Sequence, residues 1–328
     1  MALSELEATL APAQPLPTPQ GDEVLYKNER TLVMRRRQPD GRCVIVKQAF
    51  GADAQARLRH EASILARLSK VPGVVRQASE LADGALVFED GGGTSLSQQL
   101  SRERPSLDRA IELGIALAET VSAIHRAGII HKDINPSNIL LAGPDQRPLL
   151  IDFNIATCFA QERLAFTHQH HIIGTLAYMP PEQTGRTGRA IDQRSDLYSL
   201  GVTLYEMAAG RKPFESEDLL EMIHDHLARE PVAPMVLDAA IPAPLSEMIM
   251  RLLEKEADRR YQSAEGLARD LIRLRDRRQR GDDSAFPLGL DDFPMRLTPP
   301  STLIGRKDEM RALQEAMDRT GREKAAPC

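Results

Sequence analysis

Asp133 and Asn138 stand five residues apart in the run His131-Lys132-Asp133-Ile134-Asn135-Pro136-Ser137-Asn138, directly after the apolar pair Ile129-Ile130. Nineteen residues beyond Asp133, the apolar stretch Leu149-Leu150-Ile151 delivers a second carboxylate, Asp152. One carboxylate oxygen and one amide oxygen, from Asp152 and Asn138, form a hard donor set. Such a set suits Mg²⁺, which keeps water and phosphate oxygens for its other positions. Asp133 is then left as a proton acceptor. Lys47 adds a cation at the end of Val44-Ile45-Val46, and Glu61 follows 14 residues later, placed to pair with it. A proton acceptor, oxygen ligands for magnesium and a fixed cation are what phosphoryl transfer requires. An acceptor hydroxyl must lose its proton, and charge spread over phosphate oxygens must be neutralised.

The rest of the chain must position these groups. Its 328 residues are 42% apolar and 27% charged, enough for a sizeable core or two lobes of one and too apolar for a disordered protein. No run approaches the 18 or so apolar residues of a membrane span. Glu5 and Glu7 stand where a signal peptide needs a basic start. Cys43, Cys158 and Cys328 lie far apart with no CxxC, which argues against a disulfide framework or a zinc site and fits a reducing cytoplasm. The net charge of −5 and the absence of Trp offer nothing to nucleic acid.

Residues 1–20, with Pro12, Pro15, Pro17 and Pro19, read as a disordered leader. Arg42–Phe50 and Ala85–Glu89 read as strands. Between them Leu58, Ala62, Leu65 and Leu68 phase as one face of a helix over about 53–69. After Gly91-Gly92-Gly93 the pattern turns helical. Ser106 caps a helix with the stripe Leu107, Ile111, Ile115 and Ala118. Further helices are expected over Asp196–Ala209 and Ser263–Arg278. The basic run from Arg273 to Arg280 is expected to be a solvated helix face. Residues 279–302 read as a linker.

With Gly174-Thr175 and Pro180-Pro181-Glu182 added in order, the chain resembles the protein kinase family over roughly residues 22–278. The resemblance implies an α+β, bilobal fold, with a small β-rich N-lobe over 21–92, a larger helical C-lobe over 93–278 and ATP in the cleft between them. It implies that Asp133, with Asn135 beside it, is catalytic and that Asn138 and Asp152 hold Mg²⁺. Val33, Lys47, Glu61, Glu89 and Gly91 would bind the nucleotide, with Glu89 and its neighbours as the hinge facing adenine. By the same resemblance Asp196 holds the catalytic-loop backbone and Glu182 pairs with Arg260. The implied activity is an ATP- and Mg²⁺-dependent transfer to Ser/Thr hydroxyls of a protein substrate.

A narrower resemblance lies in GIIHKDINPSNILL (128–141), GTLAYMPPEQTGR (174–186) and DRRYQSAEGLARDL (258–271). They are similar to the N-terminal kinase-like domain of large signalling proteins, in which an AAA-type ATPase and sensor modules follow. Leu303 to Glu309 resembles the segment before that ATPase's phosphate loop, so 303–328 reads as the start of a truncated ATPase domain, the rest being a downstream partner. Neither nucleic acid nor membrane is an expected partner.

Four departures weigh against full activity. Tyr26, Asn28 and Thr31 stand where the family's loop glycines would fall. Asn135 replaces a lysine, Asn154 a glycine, and Lys132 an arginine. They motivate an alternative, a nucleotide-binding pseudokinase that regulates a downstream ATPase or sensor kinase. A small-molecule phosphotransferase is a third reading, against which the segment GTLAYMPPEQ resembles a peptide-docking surface. His168, His170 and His171 read as a solvated loop rather than a metal site.

Overall fold

A computed structural model of the chain describes residues 22–82, 84–159 and 176–294. The unit it defines ends at Phe293. The leader, residues 303–328, the three histidines and Gly174-Thr175 lie outside the described residues.

Five antiparallel strands open the fold: β1 (Glu23–Lys27), β2 (Thr31–Arg37), β3 (Cys43–Ala49), β4 (Gln77–Ala82) and β5 (Ala85–Glu89), in the sheet order β1-β2-β3-β5-β4. β3 is rich in β-branched residues and lies at the centre, where both its neighbours satisfy its backbone. α1 (Ala54–Leu68) packs on this sheet and buries Leu58, Glu61, Ile64, Leu65 and Leu68. The apolar stripe therefore lies one position away from Ala62, which is only half-buried, and Glu61 points inward with the leucines. That rotation brings a carboxylate to the face of β3 that carries Lys47.

The helical part begins with α2 (Leu96–Leu100) and α3 (Leu107–Arg126), whose N-cap Ser106 accepts the Arg109 N–H. α4 (Gln193–Ala209), α5 (Leu219–Ala228), α6 (Pro234–Leu237), α7 (Ala243–Leu252) and α8 (Ala264–Arg278) follow. α4 is buried along almost its whole length and starts three residues earlier than its hydrophobic phase suggests. Asp192 caps it there, accepting the Arg194 N–H. One apolar core runs from α1 through β5, α3 and α4 to α8. No helix among the described residues is long and apolar enough to cross a membrane.

Short strands line the face of the helical part nearest the sheet. β6 (Thr94–Ser95), β8 (Ile139–Ala142) and β9 (Arg147–Leu150) form one sheet, and β7 (Ile129–Ile130) pairs with β10 (Thr157–Cys158). The loop from β7 to β8 carries Asp133, Asn135 and Asn138, and the chain leaving β9 carries Asp152. Ile139 pairs with Leu150, and the Ile151 N–H donates to the Asn138 carbonyl at 3.0 Å. Asn138 and Asp152 are thus neighbours because a four-residue hairpin pairing makes them so.

Gly93 enters β6 at φ +90°, and a Cβ there would lie 1.9 Å from the Leu141 carbonyl oxygen. Gly93→Ala is expected to destabilise the domain by roughly 1–3 kcal/mol, since both strain and backbone overlap oppose it. Urea unfolding reads this directly, and an unchanged midpoint would contradict it.

The segment expected as a linker is described as far as Pro294 and lies against the helical part. Phe286 is buried beneath the guanidinium groups of Arg273 and Arg277. The Asp292 carboxylate accepts the backbone N–H groups of Gln262 and Ser263 and the Ser263 hydroxyl at 2.9–3.0 Å, in front of α8. The basic run is paired rather than simply solvated: Arg273 with Asp270, Arg275 with Asp276, Arg277 with Asp282, and Arg278 with Asp108.

Candidate active site

Lys47 holds two carboxylates at once. Its Nζ donates to Glu61 Oε1 and Oε2 at 2.9 and 2.8 Å and to Asp152 Oδ1 at 2.8 Å. The Lys47 and Glu61 side chains are 9% and 2% exposed, whereas Asp152 is 34% exposed. Burial alone would lower the lysine pKa, but the Asp152 and Glu61 carboxylates outweigh it and raise it. Burial likewise opposes ionisation of Asp152, and Lys47 overcomes this to hold the carboxyl below its usual range. Burial, with the Asp152 charge, pushes the Glu61 carboxyl up against the pull of Lys47. Glu61 Oε1 also accepts the Phe153 N–H at 3.2 Å, which ties α1 to the turn after Asp152. Asp152 itself sits at φ +63°, a left-handed conformation that Asp tolerates better than most residues.

In the loop from β7 to β8 two amides grip one carboxylate. Asn135 Nδ2 donates to Asp133 Oδ1 at 2.8 Å, and Asn138 Nδ2 donates to Asp133 Oδ2 at 2.9 Å. Asn135 Oδ1 accepts the Ser137 N–H at 3.0 Å, so its own amide is fixed. Burial and the nearby Asp152 charge push the Asp133 carboxyl up to about 7, against the pull of the two amide donors. A carboxyl poised there is suited to accept a proton near physiological pH.

Asp196 anchors the loop from below. Buried at the start of α4, its carboxylate accepts the N–H groups of His131 and Lys132 at 2.9 and 2.8 Å and the His125 Nε2–H at 2.8 Å. The first two bonds hold Lys132 at φ +68°. His131 Nδ1 accepts the Asp133 N–H at 3.2 Å, which leaves Nε2 as the donor to the Ile151 carbonyl at 3.2 Å. Burial lowers the His131 pKa and keeps the ring neutral in this role. His131 thus clasps the segments that bear Asp133 and Asp152. The sequence reading gave no role to His131 or His125. A histidine between an apolar and a basic residue has many structural explanations, and only the fold shows what it touches.

The remaining expected residues fall around the same face. Val33 on β2 pairs directly with Lys47 on β3, so both side chains share one side of the sheet. Glu89 ends β5, and its N–H is used by the Arg76 carbonyl. The Gly91 N–H makes no hydrogen bond among the described residues. Where glycines were expected between β1 and β2, the turn is closed by Asn28, whose Oδ1 accepts the N–H groups of Arg30 and Thr31 at 2.9 and 2.7 Å. Arg30 in turn pairs with Asp53 at the start of α1 at 2.8 Å. Such a hairpin is pinned rather than free to fold down.

Mg²⁺ fits the residues present. Asn138 uses its amide nitrogen on Asp133, which leaves Oδ1 for a ligand, and Asp152 Oδ2 has no partner among the described residues. Both are hard oxygens, and no group of three or more His, Cys, Asp or Glu residues suggests another metal among the described residues.

Beneath the site, Glu182 and Arg260 pair at 2.7 and 3.0 Å, both buried. Gln183 next to that pair donates to the Lys132 carbonyl at 3.0 Å and so touches the loop that carries Asp133.

The family described as the protein kinase domain matches residues 33–272. A probable serine/threonine-protein kinase of Streptomyces coelicolor is 34% identical over 224 residues, covering 66% of this chain and 33% of that relative. The serine/threonine-protein kinase PkaA of the same organism is 36% identical over 235 residues, 69% of this chain and 41% of its own length. The serine/threonine-protein kinase PknB of Mycobacterium tuberculosis is 32% identical over 190 residues, 58% of this chain and 30% of its own. The matched stretch thus spans 30–41% of the length of these relatives.

Proposed function

The chain belongs to the protein kinase domain family, and from that premise we propose that it transfers the γ-phosphate of ATP to Ser or Thr hydroxyls of a protein substrate. The observation that carries this reading is the pair of constellations facing each other: Lys47 fixed between Glu61 and Asp152, and Asp133 fixed between Asn135 and Asn138.

Asp133 orients the acceptor hydroxyl and takes its proton as the oxygen bonds to the γ-phosphorus. The bond from that phosphorus to the bridging oxygen breaks, and ADP leaves with the electron pair. Lys47 binds the α/β phosphates, held in place by Glu61. The Gly91 N–H and the backbone around Glu89 are available to adenine, with Val33 on the sheet above. Asn138 and Asp152 are the residues that would hold magnesium, which when bound neutralises charge on the phosphate oxygens. Asn135 does not replace the family's lysine charge for charge. It acts as a positioning residue that fixes the rotamer and lowers the pKa of Asp133.

The proposed organisation is an N-lobe over 21–92 and a C-lobe over 93–278, with the anchored tail to Phe293 completing the latter. Residues 303–328 are proposed to begin an AAA-type ATPase unit, and the setting to be cytoplasmic signalling. A second reading, nucleotide binding without transfer, draws support from the Asn28-pinned hairpin, which lacks the backbone freedom that glycines give a phosphate-covering loop.

Radiolabelled transfer from ATP with Mg²⁺ to a generic basic protein tests the proposal. The purified chain is expected to transfer label, with loss on chelation. Asp152→Ala is expected to lose roughly 10²–10³-fold or more, the scale of deleting a preorganised electrostatic group. No transfer by the wild type, with a fluorescent ATP analogue still bound, would select the second reading.

A further inference from the structure

We propose that a basic cleft between the loop preceding α3 and the β8–β9 turn docks an acidic peptide segment of a partner protein. The cleft encloses about 450 Å³, and its lining includes Arg102, Arg104 and Arg109 with a single carboxylate, Glu103. Three cations therefore face one anion.

The pairing of these cations, rather than their number, sets the cleft apart. A second cleft of about 470 Å³ on α8 is also lined by arginines, among them Arg269, Arg273 and Arg277. Those three pair with Glu265, Asp270 and Asp282, while the Arg280 guanidinium makes no hydrogen bond or ion pair among the described residues. In the first cleft the Arg102 guanidinium makes no hydrogen bond or ion pair among the described residues. Arg109 uses only Nη2, on the carbonyls of Asp145 and Gln146. Arg104 uses Nη1, on Asp238 at 3.0 Å. Each guanidinium retains N–H groups in the planar fork that suits a carboxylate. The chain as a whole carries −5, so any attraction of an acidic ligand to this cleft comes from the local field.

The other lining groups favour a peptide over a small anion. Gln99 and Gln146 bring side-chain amides, which pair with a peptide backbone, and the Gln99 amide makes no hydrogen bond among the described residues. The cleft is also wired to the catalytic loop. Thr94, in its wall, pairs with Leu141 on β8, the strand that leaves that loop after Asn138. A segment docked here is held on the same rigid element as Asp133.

Binding alone reads this proposal, so its failure is separable from a failure of phosphate transfer. The probe is a fluorescently labelled peptide of alternating Asp and Glu, titrated with the full chain by anisotropy, beside a lysine peptide of equal length. Saturable binding of the acidic peptide is expected, weakened by added NaCl. Arg102→Glu, which removes no contact of the fold, is expected to weaken it about tenfold or more. Arg280→Glu in the second cleft and saturating ATP are expected to leave it unchanged. Absence of saturable binding, or an Arg102→Glu variant that binds as well as wild type, overturns the proposal. Complete displacement of the peptide by low millimolar inorganic phosphate overturns it in favour of a small-anion site.

Discussion

Asp133→Asn is expected to lower phosphate transfer about 10²–10⁴-fold, the range that a positioned general base contributes. Nucleotide affinity should change little, because no bond of Asp133 reaches Lys47 or the hinge. The pH profile makes the assignment specific. Burial and the Asp152 charge place the Asp133 carboxyl at about 7, and the ionised form is the one that accepts a proton. Activity must therefore rise with pH through that value in the free enzyme and fall below it. A metal held by Asp152 and Asn138 would offset the Asp152 charge, so the acidic limb of kcat should lie below that of kcat/KM. Asn135→Ala deletes one of the two donors that stabilise the carboxylate, which moves the limb to higher pH. A profile in Asn135→Ala identical to wild type would show that Asn135 is a passive turn residue. Full activity in Asp133→Asn would remove the base from the mechanism altogether.

The parts of this site that could be read in the sequence are those whose geometry is local. Asp133 and Asn138 lie in one loop, and a spacing of five is enough to bring the amide to the carboxylate. The Lys47–Glu61 pair was legible through the family resemblance, from a lysine ending a strand and a glutamate 14 residues later. Even so, the apolar stripe suggested Ala62 on the buried face, and Glu61 is the residue found there. A charged residue on an apolar face breaks the very pattern used to find the face, and only the buried cation opposite explains it.

Contacts across long separations were not legible. Arg30 to Asp53 and Asp292 to Ser263 join segments that share no period and no motif. The tail to Phe293 has the composition of a linker, yet Asp292 supplies acceptors to donors in front of α8 and Phe286 covers its arginine stems. Two-residue strands such as β6 and β7 carry no alternation at all. Their existence follows from the neighbours they pair with.

Arg260→Met is expected to cost about 3–5 kcal/mol of stability, the toll of leaving one partner of a buried ion pair alone. For a domain of this size each kcal/mol is worth roughly 2–4 °C in Tm. All five guanidinium N–H groups of Arg260 are used: two on Glu182, and one each on the carbonyls of Arg194, Glu254 and Lys255. Burial opposes ionisation of Glu182, but Arg260 and the Ser195 hydroxyl outweigh it and hold the carboxyl below its usual range. In the wild type this contribution is present above the ordinary carboxylate pKa and is lost as pH falls through the depressed one. In Arg260→Met the sign reverses. The buried carboxylate has lost its cation, its pKa rises, and the deficit against wild type should shrink as pH falls and Glu182 takes up a proton. Glu182→Leu combined with Arg260→Met removes the stranded charge and should recover much of the loss. Activity should not recover with stability, because Gln183, adjacent to Glu182, holds the Lys132 carbonyl and so sets the backbone that presents Asp133. A single variant that unfolds within about 1 kcal/mol of wild type would show that the pair is a dispensable solvated contact. A double variant that regains both stability and activity would show that Gln183 finds its place without the ion pair.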